Sequence, residues 1–245
     1  NNQINIEEMK KLFIIAAMAV AGMATANAQE FKVGAKAGFL MSNVSIDDYS
    51  FTDEGKTTIA KSNTSFKPGF HFGAFIEYGF NEKLWVEAGV DYAFQGAKAK
   101  SSELIKKDNN GNVLSKTKKD VKNAKFNTQQ LNIPLWVKYD INGFRPKVGI
   151  NLGFLTKIET KGENNEQKTV TESFTPDKKF DFGLGIGAEY NLPMGLFFDA
   201  TFNLGLTDLS SKRKVELNQN GGIARIVPSQ TFKNRVIQIG VGYKF

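Results

Sequence analysis

The side chains that could carry chemistry in this sequence are charged residues at alternate positions of otherwise apolar segments. They comprise six cations and six anions: Lys32, Lys36, Lys138, Arg145, Lys147 and Lys244, with Glu77, Glu87, Asp91, Asp181, Glu189 and Asp199. Charges collected on one buried face must pair, because an isolated charge is very costly to remove from water. Two interpretations follow: a structural ion-pair network that fills an interior, or the lining of a narrow or gated ion path.

Few other residues suit catalysis or metal binding. The 245-residue chain has no cysteine and a single histidine, His71, which excludes thiolate metal sites, cysteine nucleophiles and disulfides. Asp47, Asp48 and Ser65 precede His71, but a catalytic triad needs its three groups in mutual hydrogen-bond reach. Nothing in this spacing demands such contact, and no G-x-S-x-G motif occurs. We therefore expect no enzyme activity, no cofactor and no metal site.

The N-terminal residues predict export from the cytoplasm. Met9-Lys10-Lys11 is followed by the apolar run LFIIAAMAVAG and by small residues that end in Ala26-Asn27-Ala28. This order is typical of a Sec-type signal peptide cleaved after Ala28, and eleven apolar residues are too few to span a bilayer. We interpret residues 1–28 as upstream sequence plus signal peptide and residues 29–245 as a single domain.

Eight segments that alternate apolar and polar residues must position the charged side chains. They cover residues 31–43, 67–80, 84–95, 129–139, 144–158, 180–190, 196–206 and 235–245. Period-two alternation is typical of strands with two different faces. One face has 46 positions without a charged residue, whereas the other carries the twelve charges and many glycines. Residues 101–125 are lysine-rich, are broken by Asn109-Asn110-Gly111, and are predicted to form a loop.

The connections decide between a soluble β-sandwich or lipocalin and a membrane barrel, which show similar alternation. Short turns at residues 81–83, 141–143 and 191–195 alternate with long connections at 44–66, 96–128, 159–179 and 207–234. Long loops at one end and tight turns at the other are the pattern of outer-membrane barrels. The mean hydropathy of −0.31 excludes a polytopic helical membrane protein. We predict an all-β fold: an eight-stranded antiparallel up-and-down transmembrane β-barrel with short periplasmic turns and long extracellular loops.

Several stretches also resemble a known family. VGAKAGFLMSNVS, QQLNIPLWVKYDI, GLGIGAEYNLPMGLFFDATFNLGLTDL and the terminal VGYKF are similar to the porin-like outer-membrane β-barrel domain family, over essentially all of residues 29–245. That family includes small eight-stranded barrels and the PorT-type barrels associated with protein secretion. The resemblance implies a location in the bacterial outer membrane. It also implies that Tyr243 and Phe245 form a C-terminal signal for the barrel-assembly machinery.

The long connections are the expected functional surface. Residues 96–128 hold nine lysines against three acids, and residues 207–234 hold five cations against two acids. We expect contact with outer-membrane lipids and with anionic lipopolysaccharide or capsule, although a solvated charged loop would show the same composition. Nucleic acid is a poor partner, because the lysines are not interleaved with aromatic residues and the protein is exported.

The sequence is therefore compatible with two functions. The first is a non-catalytic integral barrel with a charge-filled narrow lumen and basic loops for surface or partner interaction. The second is a transport or secretion component, either a narrow pore or a PorT-like accessory barrel of an export machine. Either function is compatible with an envelope protein partner.

Overall fold

The computed structural model describes residues 30–46, 48–53, 55–121, 124–163, 169–174, 179–209 and 232–245. The predicted signal peptide lies outside these residues, as does most of the fourth long connection. In the part of the chain described, no helix is long and apolar enough to cross a bilayer.

The regular structure of these residues consists of eleven strands. They are β1 (Glu30–Ile46), β2 (Tyr49–Asp53), β3 (Lys56–Gly79), β4 (Leu84–Lys107), β5 (Val113–Asp120), β6 (Lys125–Tyr139), β7 (Phe144–Glu163), β8 (Thr169–Phe174), β9 (Phe180–Asn191), β10 (Leu196–Gly205) and β11 (Phe232–Lys244). Each of the eight segments predicted from alternation lies within, or within one residue of, one of the longer strands.

Eight strands close into a ring in the order β1, β3, β4, β6, β7, β9, β10 and β11. Every neighbouring pair is antiparallel, and β11 pairs with β1 to complete the ring. Ala37, for example, lies opposite both Val241 of β11 and Phe72 of β3. Closure satisfies the backbone groups that an open sheet would leave at its edges. The prediction of an eight-stranded up-and-down barrel is confirmed.

The pleat of each strand sorts side chains between the outer wall and the lumen. Phe39 and Ile239 are 81% and 64% exposed on the outer wall, whereas Glu77 and Lys138 are 0% and 1% exposed in the lumen. Aromatic rings gather at both ends of the outer wall. Phe70 stacks on Phe94 at 4.3 Å at one end, and Tyr243 meets Phe245 edge-on at 5.2 Å at the other.

The two ends of the barrel differ. At the turn end, tight turns join β3 to β4, β6 to β7 and β9 to β10, and Glu30 and Phe245 also lie there. At the loop end, β3, β4 and β7 continue beyond the ring. The extra strands β2, β5 and β8 pair with these extensions as hairpins.

The prediction that residues 101–125 form a loop is therefore wrong. β4 continues to Lys107 and pairs with β5, so most of this stretch is strand. All eight residues of β5 are exposed. Because neither of its faces is buried, β5 needs no apolar residues, and the alternation that reveals the other strands is missing here.

Asp108 organises the turn of this hairpin. Its Oδ1 accepts hydrogen bonds from the backbone N–H groups of Asn110 and Asn112, at 2.9 and 2.8 Å. Its Oδ2 accepts one from Asn112 Nδ2 at 3.0 Å. The side-chain and backbone donors of Asn112 hold the pKa of Asp108 below its usual value. Gly111 has φ of +83°, a left-handed conformation that favours glycine.

Candidate functional site

The turn-end half of the lumen centres on Lys138. Its ammonium lies 2.6 Å from Glu189 Oε2 and also pairs with the carboxylates of Glu77 and Glu87. One carboxylate oxygen from each of the three glutamates lies within 4.8 Å of the others, a spacing that could hold a metal ion. Here the ammonium of Lys138 occupies that position. The three glutamates therefore act as a cage for an internal cation.

Three further cations surround this cage. Lys244 Nζ lies 2.9 Å from Glu77 Oε2 and also pairs with Glu189. Arg145 Nη1 lies 3.3 Å from Glu77 Oε2, and Lys36 Nζ lies 3.0 Å from Glu87 Oε1. These contacts join residues from different strands across the lumen. We call the cage and these three cations, together with the Lys147–Asp199 ion pair, the ion-pair plug.

Aromatic side chains in the lumen contact the cations of the ion-pair plug. Arg145 Cζ lies 4.2 Å from the ring centroid of Trp85, and Lys147 Nζ lies 4.8 Å from that of Trp136. Lys244 Nζ lies 4.8 Å from the ring of Phe197. An aromatic face attracts a cation, and more strongly when water is excluded. The cations are thus held by carboxylates on one side and by rings on the other.

The glycines of the inner wall make room for these rings. A Cβ atom added at Gly185 of β9 would lie 2.3 Å from Trp136 Cη2 and 2.6 Å from Asn203 Oδ1. One added at Gly242 of β11 would lie 2.3 Å from Phe197 Cζ. An eight-stranded ring is only wide enough for side chains to fill it. Large residues on some strands therefore require glycine on the strands they face.

Three of the twelve predicted lumen charges lie outside the plug. Lys32 lies at the turn-end mouth, where its ammonium is 2.9 Å from Glu30 and 5.1 Å from the ring of Trp85. Asp91 and Asp181 lie in the loop-end half of the lumen. Asp91 Oδ1 is 3.0 Å from His71 Nδ1.

The geometry around His71 does not assemble the triad considered from the sequence. His71 pairs with Asp91, and its Nε2 faces Gly38 and Gly240. Asp48 forms an ion pair with Lys61 at 2.6 Å. Ser65 lies opposite Lys98, near the loop end. Asp47 lies outside the described residues.

Carboxamide side chains fill the loop-end half of the lumen. Asn234 Nδ2 donates to Asp181 Oδ2 at 2.8 Å, and Gln130 Nε2 donates to the same oxygen at 3.2 Å. Asn151 Nδ2 donates to Asn132 Oδ1 at 2.9 Å. A polar cavity of about 30 Å³ lies among these residues. Sequence reasoning missed this cluster, although its members occupy the same alternate positions as the lumen charges.

The outer wall carries a row of lysines near the loop end. Lys125 of β6 lies directly opposite both Lys98 of β4 and Lys161 of β7. Ser65 continues the row beyond Lys98, and Thr171 continues it beyond Lys161. We call Lys98, Lys125 and Lys161 the outer lysine row. Residues directly opposite each other share a face of the sheet, and like charges in such pairs repel.

The alternation of β6 shows which face this row occupies. Gln130 and Asn132, at even positions, are buried in the lumen. Lys125 and Gln129, at odd positions, therefore face outward, and Gln129 Oε1 accepts a hydrogen bond from the outward-facing Tyr92 at 2.8 Å. The sequence showed the lysines of this region, but only the strand register places these three side by side.

The C-terminal residues lie at the turn end of the outer wall. Tyr243 and Phe245 are 45% and 79% exposed, and the Phe245 N–H donates to the Val33 carbonyl at 2.8 Å. The assembly signal assigned to them remains a prediction.

Comparison with known families gives one extensive match. Residues 13–245 match the sequence model of a family described as outer membrane protein beta-barrel domain. A comparison with curated proteins found no match.

Several solved structures are similar to this chain. Neisserial surface protein A (NspA) is 13% identical, with 89% of this chain and 99% of that one covered and a TM-score of 0.42. Ail, the attachment invasion locus protein of Yersinia pestis, in complex with the heparin analogue sucrose octasulfate, is 16% identical, with 88% and 99% covered and a TM-score of 0.41. OprG from Pseudomonas aeruginosa is 18% identical, with 89% and 97% covered and a TM-score of 0.40.

Proposed function

The chain belongs to the outer membrane protein β-barrel domain family, and from this premise we propose that it is a non-catalytic integral barrel that contacts anionic lipopolysaccharide through its outer wall. Membership of the family places the protein in the bacterial outer membrane. The loop end of the barrel then faces the cell exterior, and the turn end faces the periplasm.

The observation that carries this proposal is the outer lysine row. Lys98 lies four residues beyond Phe94 on β4, which corresponds to about 13 Å along the strand at roughly 3.3 Å per residue. Phe94 and Tyr92 belong to the aromatic residues at the loop end of the outer wall, and such residues mark the membrane boundary. Because strands in such barrels are tilted, the row stands a little above this boundary. The phosphate groups of lipopolysaccharide lie in the same zone.

The arrangement of the row favours an external anion. Lys98, Lys125 and Lys161 face one another across three adjacent strands, and Ser65 and Thr171 extend the row with hydroxyl groups. Such a concentration of positive charge disfavours folding unless counter-ions neutralise it. A phosphate group in contact with two or three ammonium groups removes this repulsion.

A triple variant tests this contact. We expect Lys98→Gln, Lys125→Gln and Lys161→Gln together to weaken binding of phosphorylated lipid A to the barrel in nanodiscs by about tenfold or more at low salt. Binding is measured by native mass spectrometry of the full chain, with dephosphorylated lipid A as the comparison lipid.

The matched control removes three lysines from the distal hairpin instead. Lys106, Lys116 and Lys119 lie on β4 and β5 away from the membrane boundary, and the triple glutamine variant there has the same net charge. We expect it to keep most of its preference for phosphorylated lipid A. Equal loss in the two variants would show that overall charge, rather than the outer lysine row, accounts for binding.

The second candidate function, a transport or secretion component, draws support from the polar cavity beyond the plug. For transport, the plug would have to rearrange to open a continuous water path. We expect the purified barrel to show no steady conductance in planar bilayers, because the plug ties strands together across the lumen. Steady conductance would favour a pore, and recovery of export proteins after cross-linking in native membranes would favour an accessory barrel.

A further inference from the structure

The cavity in the loop-end half of the lumen has an unusual lining. Its walls carry seven carboxamides and two carboxylates: Gln95, Gln130, Asn132, Asn151, Asn203, Asn234 and Gln238, with Asp91 and Asp181. A volume of about 30 Å³ accommodates a small ion or on the order of two water molecules. Oxygen atoms of amides and carboxylates are ligands that hard cations prefer.

The charge of Asp181 is uncompensated by the described residues. Both groups that donate to its Oδ2, from Asn234 and Gln130, are neutral amides. Lys36 is the cation among the lining residues, and it is paired with Glu87 in the plug. Asp181 itself is only 4% exposed. A buried carboxylate in this position needs a positive partner, because desolvation penalises its charge.

The unsatisfied hydrogen-bonding atoms of the cavity also favour a positively charged occupant. Asp181 Oδ1, Gln95 Oε1 and Asn203 Oδ1 are buried and have no hydrogen-bond donor among the described residues. All three are acceptors. By contrast, several amide donors are used within the cluster, such as Asn203 Nδ2 on Gln238 Oε1 at 3.3 Å. The cavity therefore presents unpaired acceptor oxygens, which a cation can bind.

We propose that this cavity binds a monovalent alkali cation, with the Asp181 carboxylate as its charged ligand and side-chain amide oxygens as neutral ligands. One positive charge balances the carboxylate of Asp181, whereas a divalent ion would leave an excess charge beside it. Asp91 Oδ1 already lies 3.0 Å from His71 Nδ1, to which it is hydrogen-bonded. This site lies in the lumen and is independent of the lipopolysaccharide contact on the outer wall.

Trp136 lines the cavity and reports on its occupancy. The chain has two tryptophans, so the Trp85→Phe variant leaves Trp136 as the sole emitter. In this background, NaCl replaces choline chloride at constant chloride concentration, since choline is too bulky for the cavity. We expect a saturable change in Trp136 emission with Na⁺, and we expect Asp181→Asn to abolish it or to weaken the apparent affinity by at least about tenfold.

The control is Asp120→Asn, which removes an exposed carboxylate of β5 and is expected to keep the response to Na⁺. The proposal is overturned if Na⁺ and choline give the same emission, if only a change of pH alters it, or if Asp181→Asn responds as the parent does. Should Asp181→Asn fail to fold, crystals of the unmodified protein soaked in RbCl decide the matter. An anomalous Rb⁺ peak beside Asp181 supports the site, and a cavity without one overturns it.

Discussion

At the scale of single residues, Lys138 combines full burial with three charged partners. Its side chain is fully buried, and it is shared among three equally buried glutamates. Charges removed from water gain their stability from close partners, and they lose it if one partner is taken away. The position therefore holds a cation for a structural reason: without it, three carboxylates would face one another inside the barrel.

Replacing this cation should be far more costly than replacing a surface lysine. We expect Lys138→Met to lower the free energy of unfolding by about 3–5 kcal/mol, because the three glutamates lose their central partner. The measurement is urea-induced unfolding in phospholipid vesicles, followed by tryptophan emission. Lys119→Met, on the exposed β5, is the control and should change stability by no more than about 0.5 kcal/mol. Similar losses in both variants would contradict a structural role for the plug.

At the scale of the strands, the two faces of the barrel wall differ in how much added side-chain volume they tolerate. The outer wall meets lipid chains, which adapt to added atoms, whereas the lumen is packed with rings and long side chains. Trp136 and Phe197 occupy space that glycines of β9 and β11 leave free. A single methyl group is therefore tolerated or not according to the face that it enters.

Gly185→Ala and Ala200→Val compare the two faces directly. The first places a Cβ atom 2.3 Å from Trp136 Cη2, so we expect a loss of about 1–3 kcal/mol in unfolding free energy from overpacking. Ala200 is exposed on the outer face of the neighbouring strand β10, and its variant should be nearly neutral. The same urea unfolding assay applies. A neutral Gly185→Ala would mean that the plug repacks freely.

The β4–β5 hairpin should depend on pH through its turn. The folded state holds the pKa of Asp108 below its ordinary value through hydrogen bonds from Asn112. A lowered carboxyl pKa contributes stability above the unfolded pKa, and this contribution is lost as the pH falls through the folded pKa. We expect the Asn112 amide resonances to move toward random-coil values as the pH is lowered below about 4. In Asp108→Ala they should lie there already at neutral pH.

At the scale of the whole molecule, the closed ring fixes which residues can lie on each side of the membrane. An even number of strands places Glu30 and Phe245 on the turn side, and the hairpins formed by β2, β5 and β8 extend from the opposite side. The lumen between the two sides is crossed by the ion-pair plug. Functional contact is therefore expected on the outer wall and the loop-end hairpins.

The absence of cysteine from the chain makes this orientation easy to test. Ser115→Cys places a thiol on the exposed β5, and Glu82→Cys places one in the turn between β3 and β4. A membrane-impermeant maleimide added to intact cells should label the first variant, and it should label the second only after the outer membrane is permeabilised. The reverse pattern would mean that the hairpins face the periplasm.

The amino-acid sequence by itself determined the barrel and the composition of its two faces. A lipid-facing wall requires an apolar residue at every second position, and segments such as 84–95 and 180–190 show this alternation directly. The same alternation could not reveal β5, because an exposed ribbon imposes no such demand. The segregation of apolar and charged residues between two faces could therefore be predicted from the sequence, whereas the hairpins at the loop end could not.

Only the tertiary structure decided which charges meet. Lys138 and Glu77 are 61 residues apart in the chain, and strand register and ring closure bring them together. The same register sets three lysines of β4, β6 and β7 side by side and leaves Asp181 among neutral amides while Asp91 gains His71. Alternation specifies a face but not a neighbour, because contacts across a lumen depend on the stagger of strands that are distant in the chain.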